Sequence, residues 1–351
     1  MSRIALIPGD GIGTEVVAQA EKALRWLAED AGLPLELTTY DYGAQRYLDT
    51  GVTITDDEMA ALEREHDAIL LGAMGDPRVK DNRHARDILL GMRFRFDLYV
   101  NLRPVKLYDA RFSPLRDVKP ADVDIVIVRE NTEGVYLGMG GVFKRGTVDE
   151  LAIEEDVNTY KGVERIVRAA FGHAKRTGRK RVTLADKANA MQHAGGLYRR
   201  VFAQVAAEFP GIEHEAMYVD ALALDVVLRP ARYDVIVASN LFGDILSDLV
   251  AALAGGLGMA PSANLHPGRI GLFEPVHGSA PDIAGKDRAN PMAALMTTAL
   301  MLEELGHAKH AQRLSKAVER TLAAGKTTPD LGGTLGTEAV GDAVLQALRD
   351  R

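Results

Sequence analysis

The chain is 351 residues long, 47% hydrophobic and 26% charged, which suits a soluble globular protein of one large or two ordinary domains. Its 42 Lys and Arg against 49 Asp and Glu leave a net charge of −7, so no overall field draws it to nucleic acid and a small-molecule partner is expected. The absence of cysteine excludes disulfides, thiolate metal sites and cysteine nucleophiles, and leaves any metal to oxygen or imidazole ligands.

The N-terminal run MSRIALIPGDG lacks both a basic segment and a long hydrophobic region, so it reads as a first strand and not as a targeting segment. The apolar stretch LVAALAGGLGMA is broken by glycines, so no membrane span or membrane partner is expected, and the cytoplasm is the default location. Along the chain, β-rich runs alternate with helical periodicity: Ile4 to Ile7 before a helix from Thr14 to Ala31, then Leu35 to Tyr40 before Asp56 to Glu65, then Ala68 to Leu71. Further strands are expected at Leu98 to Val105, Ile125 to Arg129, Val182 to Ala185, Glu215 to Val219 and Val235 to Ala238, most of them followed by a helix. This is α/β patterning with a mainly parallel or mixed sheet. The segment Tyr136 to Thr147 has glycines among β-formers and reads as a protruding hairpin, and the chain after Asn290 is helical apart from GKTTPDLGGTLGT.

Gly9 to Gly13, GDGIG, stands between a strand and a helix, where glycines let a backbone approach a phosphate. Its spacing is G-x-G-x-G and no acidic residue ends a second strand at the required distance, so the Rossmann fingerprint fails and a tight strand-to-helix turn is the preferred reading. In NLFGDILSDL, Asp244 and Asp248 are four residues apart, so both carboxylates project from one helix face. Asp220 ends the strand-like run EAMYVD, and the three could converge as hard oxygen ligands for Mg²⁺ or Mn²⁺. A solvated helix face with a capping Asp fits the same spacing.

Arg93 and Arg103 stand at either end of a β-rich run and Arg129 closes the strand DIVIV; guanidinium forks match carboxylates bidentately, so the set suits a dicarboxylic substrate, although any one of them also fits a surface ion pair. Tyr136 in RENTEGVY and Lys187 in LADKANAM are the proton-transfer candidates, although taken alone each reads first as structural.

Taken in order, PGDGIGTEV, NLRPVK, VRENTEGVY, DKANAM, NLFGDILSDL and FEPVHGSAPDIAGKDRANP resemble the β-decarboxylating dehydrogenases, the family of isopropylmalate, isocitrate, homoisocitrate and tartrate or D-malate enzymes, over essentially the whole chain. The resemblance implies two domains sharing a mixed central sheet in a fold distinct from the Rossmann type: residues 1–101 with 256–351 as the NAD-binding domain, and 102–255 as a central domain with an intersubunit arm at about 136–150. It implies Arg93, Arg103 and Arg129 as ligands of the substrate carboxylates, and Asp220, Asp244 and Asp248 as the Mg²⁺ or Mn²⁺ site. Lys187 would help deprotonate the C2 hydroxyl and Tyr136 would protonate the enolate left by decarboxylation. Lys187 and Asp220 would come from the second subunit of a homodimer. NAD would contact Glu274 and the loop matched by His277, Gly278, Ser279, Ala280, Asp282, Ile283 and Asn290, with Asp282 on the ribose repelling a 2′-phosphate. The resemblance places Leu89 and Leu90, in DILLGMR, against the variable group of the substrate, where their apolar surface suits an isopropyl group and homoisocitrate enzymes have an Arg and isocitrate enzymes a Ser; 3-isopropylmalate is the preferred substrate, with tartrate, D-malate or homoisocitrate as the alternatives. The presence of every one of these polar residues argues against a non-catalytic regulatory subunit.

Overall fold

The computed structural model describes residues 1–350. The chain folds into two compact units: unit 1 holds Met1–Leu98, Pro104–Pro120 and the chain from Ala251 onward, and unit 2 holds Tyr99–Arg103 with Ala121–Val250. These units differ from the expected division, 1–101 with 256–351 against 102–255, in that 99–101 belong to unit 2 while 104–120 and 251–255 belong to unit 1. Val105 and Leu107 are core side chains there, and Lys106 pairs with Glu319 at 2.8 Å.

Unit 1 begins with β1 (Ser2–Gly9), α1 (Ile12–Glu29), β2 (Leu35–Thr39), α2 (Ala44–Thr50), α3 (Asp56–Glu65) and β3 (Ala68–Ala73). In α1 the apolar residues Val16, Val17, Ala20, Ala23, Leu24 and Leu27 recur at helical spacing and all are buried. The start of α3 is fixed by a capping box in which the Thr55 side chain accepts from the Glu58 amide while the Glu58 side chain accepts from the Thr55 amide. Next come α4 (Arg83–Ala85), a π-helical turn at Arg86–Leu90 and α5 (Gly91–Arg95). Arg93 thus lies on a helix, and the β-rich run expected to start there begins only at β4 (Val100–Lys106).

Unit 2 continues with β5 (Asp124–Glu130), a hairpin of β6 (Gly140–Phe143) and β7 (Leu151–Glu154), α6 (Tyr160–Thr177), β8 (Arg181–Asp186), α7 (Gln192–Ala206), β9 (Glu213–Tyr218), α8 (Val219–Leu228), β10 (Val235–Ala238) and α9 (Asn240–Ala252). The hairpin reaches beyond the expected limit of residue 150, because the partner of β6 is the β-branched and apolar run at Leu151–Glu154. Asp220 sits in the first turn of α8, one residue past the expected strand end. Back in unit 1, β11 (Pro261–Leu265) and β12 (Gly271–Pro275) form an antiparallel pair with no counterpart in the sequence reading, followed by α10 (Met292–Glu304), α11 (Ala308–Ala323) and α12 (Thr337–Arg349).

The strand order is β2-β1-β3-β12-β11 in unit 1 and β4-β5-β10-β8-β9 in unit 2, where β4 counts only through its Val100–Arg103 part. β1 pairs in parallel with β2 and β3, and β3 with β12, so with the antiparallel β11 the unit 1 sheet is mixed. In unit 2, β5, β10, β8 and β9 are all parallel. β3 and β10 are buried along their whole length, as their unbroken apolar sequences AILLGA and VIVA require. The protein is therefore α/β. No helix among the described residues is long and apolar enough to cross a membrane.

Helix α6 buries the stripe Val163, Ile166, Val167, Ala170, Phe171 and Ala174 and carries His173 beside it. Burial, reinforced by Arg176 and Arg179, pulls the His173 imidazole down to about 4, and its Nδ1 is buried without a partner. An imidazole lowered on folding binds its proton in the unfolded chain first, so its contribution is intact above pH ~6.5 and is lost as pH falls towards 4, approaching about 3 kcal/mol. His173→Gln should flatten that acid loss. Melting curves of both proteins from pH 7 to 4.5 test it, and parallel dependence of Tm on pH would refute it.

Candidate active site

The four parallel strands of unit 2 end in one row. Ala238 of β10 lies opposite both Arg129 of β5 and Ala185 of β8, and Ala185 lies opposite Met217 of β9. Residues just past this row stand at the carboxyl edge of the strands, where α/β sheets bind ligands.

Arg129 is 2% exposed and anchored along its length. Gly243 of α9 makes this possible, since a Cβ there would come within 2.6 Å of Arg129 Cβ and Cγ. Nε and Nη2 of Arg129 donate to Asn240 Oδ1 at 3.1 and 2.7 Å, and Nη1 donates to Asp244 Oδ1 at 2.5 Å. Arg103 Nη1 donates to Ser247 Oγ at 2.5 Å and lies 3.2 Å from Asp244 Oδ1 and 3.6 Å from Asp248 Oδ1. Tyr136, in a 3₁₀ turn at Gly134–Leu137, donates from its hydroxyl to Asp244 Oδ2 at 2.8 Å, and its ring lies 5.1 Å from the Arg129 guanidinium.

Asp244 is therefore the hub, with one oxygen facing two guanidiniums and the other facing a phenol. Burial, then the hydrogen bond and charge of Asp244, hold the Tyr136 phenol above its ordinary value against the pull of Arg129. It stays protonated and able to donate. Partial burial, then the charge of Asp244, push Asp248 above the usual carboxylate range in spite of Arg103, although its side chain remains half-exposed. Two like charges one helical turn apart, one of them reluctant to ionise, form an all-oxygen donor set that a hard divalent cation would relieve.

The expected third aspartate is elsewhere. Asp220 accepts from Lys187 Nζ at 2.6 Å, which holds its carboxyl below the usual range, and among the described residues no three carboxylates or imidazoles come close enough to hold an ion. The convergence of Asp220, Asp244 and Asp248 read from spacing does not occur within one chain, because α8 and α9 leave different strands and Asp220 is taken by Lys187. Lys187 itself is held in place by its neighbours: Asp186 accepts from the Ala188 amide and from Arg199 Nε, and Arg199 and Lys187 both lie against the Tyr218 ring, at 4.7 and 5.8 Å.

In unit 1, Arg93 Nη2 donates to the buried Glu274 at 2.8 Å, Asn264 Nδ2 donates to the same oxygen at 2.9 Å, and Arg93 Nε is buried without a partner. Glu274, expected to face a cofactor, is thus engaged with Arg93. The 277–290 loop is pinned at one end by Ser279, whose carbonyl accepts from the Ile12 amide at 2.9 Å, and at the other by Asn290, which donates to Asp330 at 2.9 Å. Gly278 and Asp282 are exposed, Ala280 has φ 39°, and Ile283 closes a turn onto the Ala280 carbonyl. His277 Nδ1 pairs with the Gly278 carbonyl while Nε2 is buried without a partner, and burial lowers the ring's proton affinity. The exposed Asp282 carboxylate and the unpartnered His277 nitrogen are compatible with a nucleoside ligand. The GDGIG glycines serve packing: a Cβ would lie 2.0 Å from the Ala73 carbonyl oxygen at Gly9 and 2.1 Å from the Ser279 carbonyl oxygen at Gly11. Leu89 packs on the core around Met59 and Met92, and Leu90 is half-buried beside it in the π-turn.

Residues 3–344 match the family described as isocitrate/isopropylmalate dehydrogenase. The chain belongs to this family. A 3-isopropylmalate dehydrogenase of Thermobifida fusca (strain YX) is 47% identical, covering 99% of this chain and 98% of the relative, and one of Clavibacter sepedonicus is 50% identical with 98% and 97% covered. Among solved structures, isocitrate dehydrogenase from Methylococcus capsulatus has a TM-score of 0.90 at 37% identity over 100% of both chains. As a member of the isocitrate/isopropylmalate dehydrogenase family, the chain is an enzyme of the decarboxylating dehydrogenase type. Of the residues read from its sequence, unit 2 gathers Arg103, Arg129, Tyr136, Asp244 and Asp248, while Arg93, Leu89, Leu90 and the 274–290 residues lie in unit 1. Asn240 and Ser247 were missed, although Asn240, Asp244, Ser247 and Asp248 form one polar stripe at i, i+4, i+7 and i+8 of an otherwise apolar helix, which the sequence displays.

Proposed function

We propose that this chain oxidises and decarboxylates 3-isopropylmalate with NAD, yielding 4-methyl-2-oxopentanoate, CO₂ and NADH in leucine biosynthesis, with cytoplasm as its site. The observation that carries the reaction class is the Asp244 hub, a carboxylate held by two buried arginines and a protonated tyrosine beside a second aspartate. The substrate rests on the relatives named 3-isopropylmalate dehydrogenase at 47–50% identity and on the apolar Leu89–Leu90 turn.

Arg103 and Arg129, with Arg93, bind the two carboxylates of the substrate, exchanging Asp244 for a substrate oxygen as the guanidinium partner. Asp244 and Asp248, with Asp220 of a second copy, would hold Mg²⁺ or Mn²⁺, which when bound polarises the C2 oxygen. The 277–290 loop, with Asp282 for the ribose, would hold NAD, which would supply the acceptor for the hydride that leaves C2. Lys187 of the second copy accepts the hydroxyl proton. The bond between C3 and its carboxylate then breaks, leaving the electron pair on the enolate, and Tyr136 delivers its phenolic proton to C3.

A homodimer is supported by the surface of unit 2. Apart from Met1, Leu48, Val52 and Phe94, every exposed large hydrophobic side chain among the described residues lies there, at Leu137 and Met139, on the β6–β7 hairpin, on α8 and α9, and at Tyr160 and Tyr218.

NADH formation measured with 3-isopropylmalate, D-malate, tartrate, isocitrate and homoisocitrate tests this reading. The expected result is a preference for 3-isopropylmalate in kcat/KM, moved towards the longer tricarboxylates by Leu90→Arg. A wild-type preference for isocitrate or homoisocitrate would overturn it.

A further inference from the structure

The segment that carries Leu89 and Leu90 is held at two buried points. At its far end Arg93 reaches Glu274. At its near end His84, with no exposed surface, places Nε2 2.8 Å from Asp10 Oδ2. Asp10 is itself nearly buried and accepts three bonds, from the Ala44 amide that opens α2 at 2.7 Å, from the Gly75 amide beyond β3 at 2.8 Å, and from His84. The Tyr47 ring stacks on His84 at 6.4 Å with a 19° interplanar angle, and His84 Nδ1 is buried without a partner.

Between the two anchors the helix departs from α geometry. The π-turn Arg86–Leu90 carries one extra residue per turn, so every side chain after it is rotated relative to an unbroken α-helix. This rotation sets how the two half-buried leucines after the buried Ile88 are turned, with Leu89 packed on the Met59 and Met92 cluster and Leu90 beside it. Gly91, whose Cβ would lie 3.0 Å from Met59 Cε, lets the next turn settle against α3. A π-turn is a less favourable helix geometry than the α-turn it replaces, so it persists because something fixes its two ends.

We propose that the Asp10–His84 pair is a positioning pair for substrate selection: by fixing the start of the π-turn it sets the face that Leu89 and Leu90 present to the substituent at C3 of the substrate. This rests on the function proposed above. The pair touches no substrate atom; it acts through the turn.

The test compares wild type, His84→Leu and His84→Gln in kcat and KM for 3-isopropylmalate and for D-malate, which has no substituent at C3, alongside thermal unfolding. Loss of the donor in His84→Leu should lower the 3-isopropylmalate to D-malate ratio of kcat/KM about ten-fold, mainly by raising KM for 3-isopropylmalate, as befits lost contacts to a few methylenes. His84→Gln, whose amide can still donate to Asp10, should recover most of the ratio. If the leucine variant does not fold, Asp10→Asn, which keeps one acceptor oxygen, takes its place with the same expected fall. An unchanged ratio, or equal losses on both substrates that follow the fall in Tm, overturns the positioning role while leaving the proposed function standing. A wild type that does not prefer 3-isopropylmalate overturns both.

Discussion

Asp244→Asn is expected to remove metal-dependent NADH formation almost entirely, by about 10³-fold or more in kcat/KM, the scale on which loss of a single strong electrostatic stabiliser is felt. The substitution is nearly isosteric and keeps an oxygen for Tyr136, yet it deletes the charge that faces Arg103 and Arg129. Three consequences coincide. On the proposed function, a divalent cation would lose one of its two anionic ligands on α9 and the arginines would lose the anion that holds them ready for a substrate carboxylate, while the proton affinity of Tyr136 falls because the Asp244 hydrogen bond and charge help to raise it. The measurement is initial rate against Mg²⁺ or Mn²⁺ concentration, paired with the rise in Tm that the ion gives to the wild type by preferential binding. The variant should lose both responses. Retention of turnover within ten-fold, with the metal response of Tm intact, would show that Asp244 is a structural ion-pair partner and that the hub carries no chemistry.

The alternation of strand and helix was most legible where a strand is buried on both faces and reads as an unbroken apolar run, as at Val235–Ala238, and where helical periodicity is clear, as at Asp56–Glu65. The antiparallel pair β11 and β12 was not, since PSANL and GLFEP mix proline, serine, asparagine and glutamate into strands whose burial comes from neighbours distant in sequence. The buried polar residues there also have partners that no local pattern shows, as with Asn264 and Arg93, both donors to Glu274. Site residues on a single helix could be read from their spacing. Asp220 could not be placed, because a residue's distance from a carboxylate on another helix depends on where the strands before them end. The π-turn at Arg86–Leu90 was equally silent, since its sequence RDILL suits an α-helix and the bonds that flank it, to Asp10 and Glu274, join residues distant in sequence.

The glycine cluster offers the second large effect, on stability. Gly11 has φ 54° and ψ −128°, a combination closed to residues with a side chain, and its missing Cβ would sit 2.1 Å from the Ser279 carbonyl oxygen. That oxygen accepts from the Ile12 amide at 2.9 Å, the bond that ties the 277–290 loop to the start of α1. Neither side can yield easily, as both are backbone. Gly11→Ala therefore carries dihedral strain and overpacking together, about 4 kcal/mol, which lowers Tm by roughly 5–10 °C. Gly51 separates the two contributions. It has φ 73° in the left-handed region as the residue closing α2, and nothing lies within 4 Å of where its Cβ would be, so Gly51→Ala should cost only the strain, about 1 kcal/mol. Because the displaced loop is the one proposed to hold NAD, Gly11→Ala should also raise KM for NAD while Gly51→Ala leaves it unchanged. Equal losses of Tm in the two variants would mean that backbone conformation alone sets the requirement for glycine, and that the close approach of Ser279 to the turn contributes nothing.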